Sequence, residues 1–268
     1  MAPLVSVVLI SWKMRELLER MLRTLFEHSS VEIEVICVDN GSQDGTAEMV
    51  EHDFPSVHLI RNSQNRGVAP ARNQAISAAR GKYVAILDAD MELVEDALGT
   101  IVGFLESHPD VGIAGCRLTF ADGTTQLNAK RFPSLLALLS RRLPLIRTFG
   151  GRSALNRHEM SEWDRSSSRE VDYLIGACQV VRRSLFQQVG LLDENIFYGP
   201  EDIDFCIRVR RAGWKIWWLH GVRIIHHEQR VTKRNPLSSL SFKHYKGLFY
   251  FFRKHGLGYT TRVPSADA

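Results

Sequence analysis

Along the first ninety positions, apolar blocks alternate between two spacings. Residues 4–10 form an apolar run rich in β-branched side chains. Such a run predicts a strand buried on both faces, and so a parallel sheet covered by helices. Arg15–His28 carries Leu17, Leu18, Met21, Leu22, Leu25 and Phe26 at helical spacing. A second strand is predicted over 32–38, a short helix over 44–52 with Asp44 as its cap, and a third strand over 57–61. A helix over 69–80 has Pro70 near its start and Gly81 past its end, and 83–87 reads as a fourth strand. The order β-α-β-α-β-α-β predicts a doubly wound, mostly parallel, Rossmann-like sheet.

Beyond residue 90 the pattern loosens. Residues 92–108 read as a helix stopped by Pro109, and 111–116 as a strand. Residues 117–170 are rich in Arg, Ser, Gly and Pro, with ADGT as a hairpin-like turn. Within them, 132–145 is a Leu-rich stretch framed by Pro133 and Pro144, readable as an acceptor lid or as local core. The polar run RHEMSEWDRSSSRE reads as a loop. Order returns at 171–181, followed by helices at Arg183–Val189 and 203–212, closing strands at 215–219 and 222–226, and a helix at Ser239–His255. The last ten residues are expected to fray.

Composition narrows the class. Of 268 residues, 44% are hydrophobic and 24% charged, which excludes disordered, collagenous and coiled-coil chains. The formal charge of +4 suits phosphate-bearing ligands or an anionic membrane surface but is too small to argue for nucleic acid. The four cysteines lie far apart without a zinc or disulfide spacing, so buried thiols in a reducing compartment are expected. The N-terminal run lacks the layout of a signal peptide, and no run reaches the length of a membrane span. These features point to a cytoplasmic protein.

In open α/β sheets, ligands sit beyond the carboxyl ends of the strands. Here the strands are followed by Ser11-Trp12-Lys13, by DNGSQDGT from Asp39, by Asn62 and Asn65-Arg66-Gly67, and by Asp88-Ala89-Asp90. Each could be a simple turn, since these are turn-forming residues. Together they predict a polar, carboxylate-bearing cleft. Asp88 and Asp90, two residues apart at a strand end, suit a hard cation such as Mg²⁺ or Mn²⁺. Glu201-Asp202-Ile203-Asp204 opens a helix. Acidic residues belong in a first helical turn, but Asp202 could instead be a general base. Of the adjacent His226 and His227, alternation along a strand lets at most one face the cleft. There is no Walker A motif, no G-x-G-x-x-G opening the first helix, no H-E-x-x-H and no G-x-S-x-G.

VSVVLISW, VDNGSQDGT, NRGVAPARN, YVAILDAD, the run VDYLIGACQVV through PEDIDFCIRVRRAGWKIWWL, and IHHEQR follow one another in order. This set resembles a family 2 glycosyltransferase of the GT-A fold, most closely the bacterial rhamnosyltransferase-like branch, over about residues 4–255. The resemblance implies an inverting transferase that uses a nucleoside-diphosphate sugar, with a dTDP- or UDP-sugar favoured, and Mn²⁺ or Mg²⁺. It implies a glycan or lipid-linked acceptor in surface polysaccharide synthesis. By the same resemblance, Asp39 contacts the nucleotide base, with Ser11 beside it and Ser42 and Arg72 as further pocket candidates. Asp90 is the more direct metal ligand, and Asp88 lies near the ribose and phosphate. Asp202 is the base and Glu201 its neighbour. His226 contacts metal or diphosphate, with His227 as the one-residue alternative, and Gly176-Ala177 borders the sugar.

The chain departs from the family at Lys13, where Asn is frequent, and after the histidines, where EQRVTKR replaces a small, Gly-rich run. Arg230, Lys233 or Arg234 could supply the missing contacts there. The expected domain is 1–230, with a nucleotide half over 1–116 and an acceptor half over 117–230, and 231–268 packed on it. The aromatic and basic segment 242–254 could lie on the inner face of an anionic membrane or pack on its own domain. Two other classes compete: a catalytically silent sugar-nucleotide-binding scaffold, and a sugar nucleotidyltransferase, which usually carries a Gly-rich basic phosphate loop absent here.

Overall fold

The computed structural model describes residues 3–142, 144–148, 150–229, 238–257 and 259. Arg230, Lys233 and Arg234, named above as replacement contacts, lie outside the described residues.

Four strands form a parallel half-sheet: β1 (Val5–Ser11), β2 (Ile33–Asp39), β3 (His58–Arg61) and β4 (Tyr83–Asp88). Their order is β3-β2-β1-β4, so the chain winds outward from β1 in both directions. Side chains alternate between two buried faces, as a parallel sheet requires. Val5, Val7 and Leu9 pack in one core with Leu18, Met21, Leu22 and Leu25 of α1 (Arg15–His28). Val8, Ile36 and Val38 pack in the other with Ala69, Ala71, Ala75 and Ile76 of α3 (Val68–Ala78). Between them in sequence, α2 (Thr46–Asp53) starts after Gly45, whose φ of +80° is a conformation glycine adopts freely. Gly45 and not Asp44 holds the cap position; Asp44, one residue earlier, accepts the Thr46 N–H and hydroxyl.

After β4 the sheet becomes mixed. The expected helix over 92–108 starts later. Met91–Leu93 is a short strand, β5, because Met91 and Leu93 both turn into the core and pair antiparallel with the last strand. Asp96 then caps α4 (Ala97–Ser107) by accepting the Gly99 N–H. Next come β6 (Val111–Thr119), β7 (Ala129–Lys130), α5 (Leu135–Arg142), a 3-10 turn (Pro144–Thr148) and α6 (Gly151–Glu159). In the Leu-rich stretch, Ala137 is buried while Leu136 and Leu139 are exposed. The polar run from Arg157 is therefore not wholly loop. Its first three residues finish α6, which stops where Met160 turns left-handed at φ 52°.

β8 (Arg169–Glu170), β9 (Tyr173–Leu174), β10 (Cys178–Arg182), α7 (Arg183–Val189) and α8 (Glu201–Arg211) follow. The two expected closing strands are one, β11 (Lys215–His226), with its register shifted between Leu219 and Arg223. Gly221 lies inside that irregularity and does not end the strand. The sheet order is β3-β2-β1-β4-β10-β6-β11-β5, with β8 against β11 and β7 paired with β9 apart from it. The mixed α/β sheet between helical layers agrees with the expected fold class.

α9 (Ser239–His255) packs on α8. Phe251 is fully buried, and Nε2 of His255 lies 2.8 Å from Asp204 Oδ1. Tyr259 falls among the ten residues expected to fray. It is buried instead, and its hydroxyl donates to the Pro133 carbonyl at 2.5 Å. All four cysteines are free and buried.

Candidate active site

β4, β6 and β11 run in the direction of β1 and β2, so their carboxyl ends share one edge of the sheet. Ser11, Asp39, Asp88 and His226 end four of these strands. β10 runs the other way and brings its amino end, preceded by Gly176 and Ala177, to the same edge.

At the β1–β2 end, Asp39 accepts the Ser42 N–H at 3.1 Å, and Ser42 Oγ accepts the Lys13 N–H at 2.9 Å. Asp39 and Ser42 line a cavity of about 420 Å³ with Gly45, Thr46 and Asn62. The Ser11 hydroxyl is buried next to Asp39 and has no hydrogen-bond partner among the described residues. Buried Asn40 ties the surrounding loops together. Its amide donates to Asn65 and the Gly67 carbonyl, and its oxygen accepts from Asn62 and the Arg66 N–H.

At the β4–β11 end, ligand atoms of Asp88, Asp90 and His226 lie within 4.8 Å of one another. Asp90 immediately precedes β5, whose Met91 pairs with His226. His226 Nε2 is 3.3 Å from Asp90 Oδ1. His227 turns the other way, its Nε2 2.9 Å from Glu92. Burial pushes the Asp88 carboxyl up and the Asp90 charge adds to this, with Arg72 opposing both. Burial works to lower the His226 ring, but the hydrogen bond and charge of Asp90 prevail and raise it. Two carboxylates and an imidazole form an oxygen-rich donor set of the kind that suits Mn²⁺, and a dication would relieve the crowding of the two carboxylates.

At the α8 end, Asp202 accepts the Gly176 N–H at 3.0 Å on one oxygen and the Ile203 N–H at 2.8 Å on the other. Its side chain is only partly buried. Glu201 is buried, with one oxygen lacking a hydrogen-bond partner among the described residues, and its carboxyl is pushed up to about 7 by burial and then by the Asp202 charge, against the pull of Arg72. Asp204 points away, to Arg208, Lys254 and His255.

Arg72 joins these clusters. From α3 its guanidinium donates to Asp88 at 2.7 Å, to Glu201 at 3.1 Å and to the Gly176 carbonyl at 2.8 Å. A Cβ on Gly176 would stand 2.5 Å from Arg72 Nη1, so the room left by this glycine is filled by the guanidinium. Ala177 is buried in the core, its carbonyl accepting the Asp88 N–H. One residue absent from the sequence reading also reaches this centre. Gln126, in the irregular segment after β6, bonds the ring and the carbonyl of His226.

A family model described as "Glycosyl transferase family 2" matches residues 6–190. N-acetylglucosaminyl-diphospho-decaprenol L-rhamnosyltransferase of Mycobacterium tuberculosis is 28% identical over 271 residues, covering 97% of this chain and 87% of the relative. Among solved structures, the Pyrobaculum calidifontis mannosyltransferase PcManGT, in complex with GDP-Man and Mn²⁺, superposes with a TM-score of 0.60 at 19% identity, covering 98% of this chain and 74% of the other. GalNAc-T7, with UDP, GalNAc and Mn²⁺, gives 0.63 at 15% identity, covering 84% and 44%.

Proposed function

The chain belongs to glycosyl transferase family 2 and is a glycosyltransferase; from that premise we propose that it transfers a sugar, with inversion, from a nucleoside diphosphate to a hydroxyl of a glycan or lipid-linked acceptor. One observation carries the reading. A single buried guanidinium, Arg72, grips both Asp88 of the candidate cation cluster and Glu201 beside Asp202. Leaving-group and nucleophile chemistry therefore sit one side chain apart.

In this reading Asp39, Ser11 and Ser42 hold the nucleotide at the β1–β2 end. Asp90, Asp88 and His226 would hold Mn²⁺ or Mg²⁺. When bound there, the cation offsets charge on the departing diphosphate. Asp202, oriented by two backbone N–H donors and open to the cleft, takes the proton from the acceptor hydroxyl. That oxygen attacks the anomeric carbon on the face opposite the phosphate. The carbon–oxygen bond to phosphate breaks, and its electron pair leaves with the diphosphate. Glu201 and Arg72 keep Asp202 and Gly176 in register. In this reading residues 1–230 make up the transferase, with a nucleotide half over 1–116 and an acceptor half over 117–230, and the helix Ser239–His255 packs on it.

The mycobacterial relative's name supports rhamnose as the sugar and a polyprenyl-diphosphate-linked acceptor, and a dTDP- or UDP-linked donor completes this reading. Such an acceptor lies in a bilayer. No helix among the described residues is long and apolar enough to cross one. α9 instead presents Phe242, Lys243, Lys246, Phe249 and Arg253 along one exposed stripe, with Phe242 61% and Phe249 72% exposed. It contains no acidic residue, which fits docking on an anionic cytoplasmic leaflet.

The test separates the two centres. In Asp202→Asn, transfer should fall about 10²–10⁴-fold, while a nucleoside diphosphate with Mn²⁺ still raises the unfolding midpoint. In Asp90→Ala both transfer and the metal-dependent shift should go. At about 100 times the dissociation constant, the wild-type shift reflects roughly 2.7 kcal/mol. Normal turnover by Asp202→Asn refutes the base assignment.

A further inference from the structure

Gln126 is 6% exposed and held at every polar atom. Its backbone N–H donates to the Leu118 carbonyl at 2.8 Å, and its carbonyl accepts the Asn128 N–H at 2.9 Å. The side-chain nitrogen faces two carbonyl oxygens, that of His226 at 2.8 Å and that of Thr119 at 3.4 Å. The side-chain oxygen lies 2.8 Å from His226 Nδ1. These contacts settle which way the amide points. Turned over, its oxygen would face two carbonyl oxygens with no proton between them.

With an acceptor fixed at Nδ1, the ring must carry a proton there. A neutral imidazole has one N–H and one lone pair, so the lone pair falls on Nε2. Nε2 is the atom facing Asp90, inside the Asp88–Asp90–His226 cluster. The opposite tautomer would present an N–H to Asp90, closing the ring to a cation. We propose that Gln126 is the positioning residue of this centre: its amide keeps the His226 proton on Nδ1 and turns Nε2, as a ligand, toward Asp90 and Asp88. The inference rests on the metal reading above and adds a residue to it. Partners of this kind orient metal-bound histidines, and their loss typically weakens metal binding about 10–100-fold.

The experiment titrates Mn²⁺ into the full-length chain and follows the electron paramagnetic resonance of the free ion, without donor or turnover. Gln126→Met, close in size but with no acceptor, should bind Mn²⁺ about 10–100-fold more weakly. Gln126→Glu keeps an acceptor at Nδ1 and, by holding a proton on the oxygen that faces the His226 and Thr119 carbonyls, should lose less affinity than Gln126→Met. A lowered unfolding midpoint with unchanged Mn²⁺ affinity in Gln126→Met would make the residue merely structural and overturn the proposal. So would equal losses of affinity in the two variants when both are folded. A second measurement needs no substitution at Gln126. In the Mg²⁺-loaded chain, the ¹⁵N shifts of His226, assigned with His226→Asn, should show Nδ1 protonated and Nε2 without a proton. The reverse pattern overturns the proposal even if both variants fail to fold. A wild-type chain that takes up no Mn²⁺ overturns the metal reading, and this inference with it.

Discussion

Replacing Arg72 with Met removes the charge that holds the two acidic centres together while keeping an unbranched apolar stem in α3. The Arg72 side chain is 6% exposed and Glu201 7%, so this is a buried pair, whereas Asp88 at 38% is reached by water. Breaking one side of a buried ion pair typically costs about 3–5 kcal/mol, because the remaining charge has no compensation. The exposed Asp88 contact accounts for about 0–1 kcal/mol of that at most, so the loss centres on Glu201. The sign of its pH dependence follows from the direction of the Glu201 shift. Its folded value, about 7, lies above the ordinary carboxyl value of 4.5. The charged form is thus disfavoured in the folded chain, and without Arg72 more so. At about pH 8, one unit above the folded Glu201 value, the variant can relieve the lost pairing by protonating Glu201, which caps that share at about 1.4 kcal/mol, so Arg72→Met should lose about 2–3.5 kcal/mol in all. At about pH 5 Glu201 is already protonated with or without Arg72, and the loss should shrink to about 1–2 kcal/mol of missing hydrogen bonds. With about 2–4 °C per kcal/mol for a chain of this size, the midpoint should drop by about 4–14 °C at the higher pH. Scanning calorimetry at the two pH values measures this directly. Adding Glu201→Gln to Arg72→Met should recover about half of the loss or more at high pH. A drop that is the same at both pH values, or a double variant no better than the single, refutes the reasoning.

Two further outcomes are expected. Asp204 is fully buried, and burial pushes its carboxyl up, but the His255 hydrogen bond, Arg208 and Lys254 overcome this and hold it at about 2, below its ordinary 3.8. A depressed carboxyl stabilises the fold above its unfolded value, and the contribution, roughly 2 kcal/mol, disappears as pH falls through the folded value. Acid titration of Asp204→Asn should therefore show a flatter fall in stability between about pH 4 and pH 2 than wild type; an identical acid limb argues against the α8–α9 network. For the membrane reading, vesicles containing anionic lipid should pull down the wild-type chain at low salt and release it as salt rises. The double variant Phe242→Ser, Phe249→Ser should bind them much more weakly, and equal binding by both, or none by wild type, refutes docking through α9.

The parts of the molecule governed by local rules were legible in the sequence. The four parallel strands announce themselves as β-branched runs, and α1 by its repeating leucines, since both periods are set within a few residues. Asp39, Asp88 and His226 could be picked out because chemistry in an open sheet gathers where strands end. The misreadings share a physical cause. Met91–Leu93 is too short for its alternation to show, and pairing with His226 and its neighbours, distant in sequence, makes it a strand. Tyr259 looked like frayed terminus because its partner, the Pro133 carbonyl, lies 126 residues away. Arg72 read as a weak pocket candidate. An arginine on a helix is ordinarily solvated, and nothing local reveals a carboxylate 129 residues on. Gln126 gave no signal at all, being one polar residue in an aperiodic segment whose meaning comes from the ring it touches.

The reversed strand explains why the second half of the chain is needed for the chemistry. The parallel half-sheet brings Ser11, Asp39 and Asp88 to one edge but offers no base and no imidazole there. Inserting β10 antiparallel between β4 and β6 leaves β6 and β11 running with β4, so His226 arrives at the same edge as Asp88. The same insertion presents the amino end of β10, where the Gly176 N–H meets Asp202 and the Gly176 carbonyl meets Arg72. One residue with no side chain thus touches Asp202 directly and reaches Asp88 through Arg72. Its neighbour Ala177 accepts the Asp88 N–H and fixes the spacing of β4 to β10. A substitution at Gly176 would push on Arg72, the side chain that joins Asp88 to Glu201. Asp202 and the Asp88–Asp90–His226 cluster thus share one pair of neighbours, Gly176 and Arg72, and a change at either neighbour should be felt on both sides, whereas Asp202→Asn leaves the cluster in place.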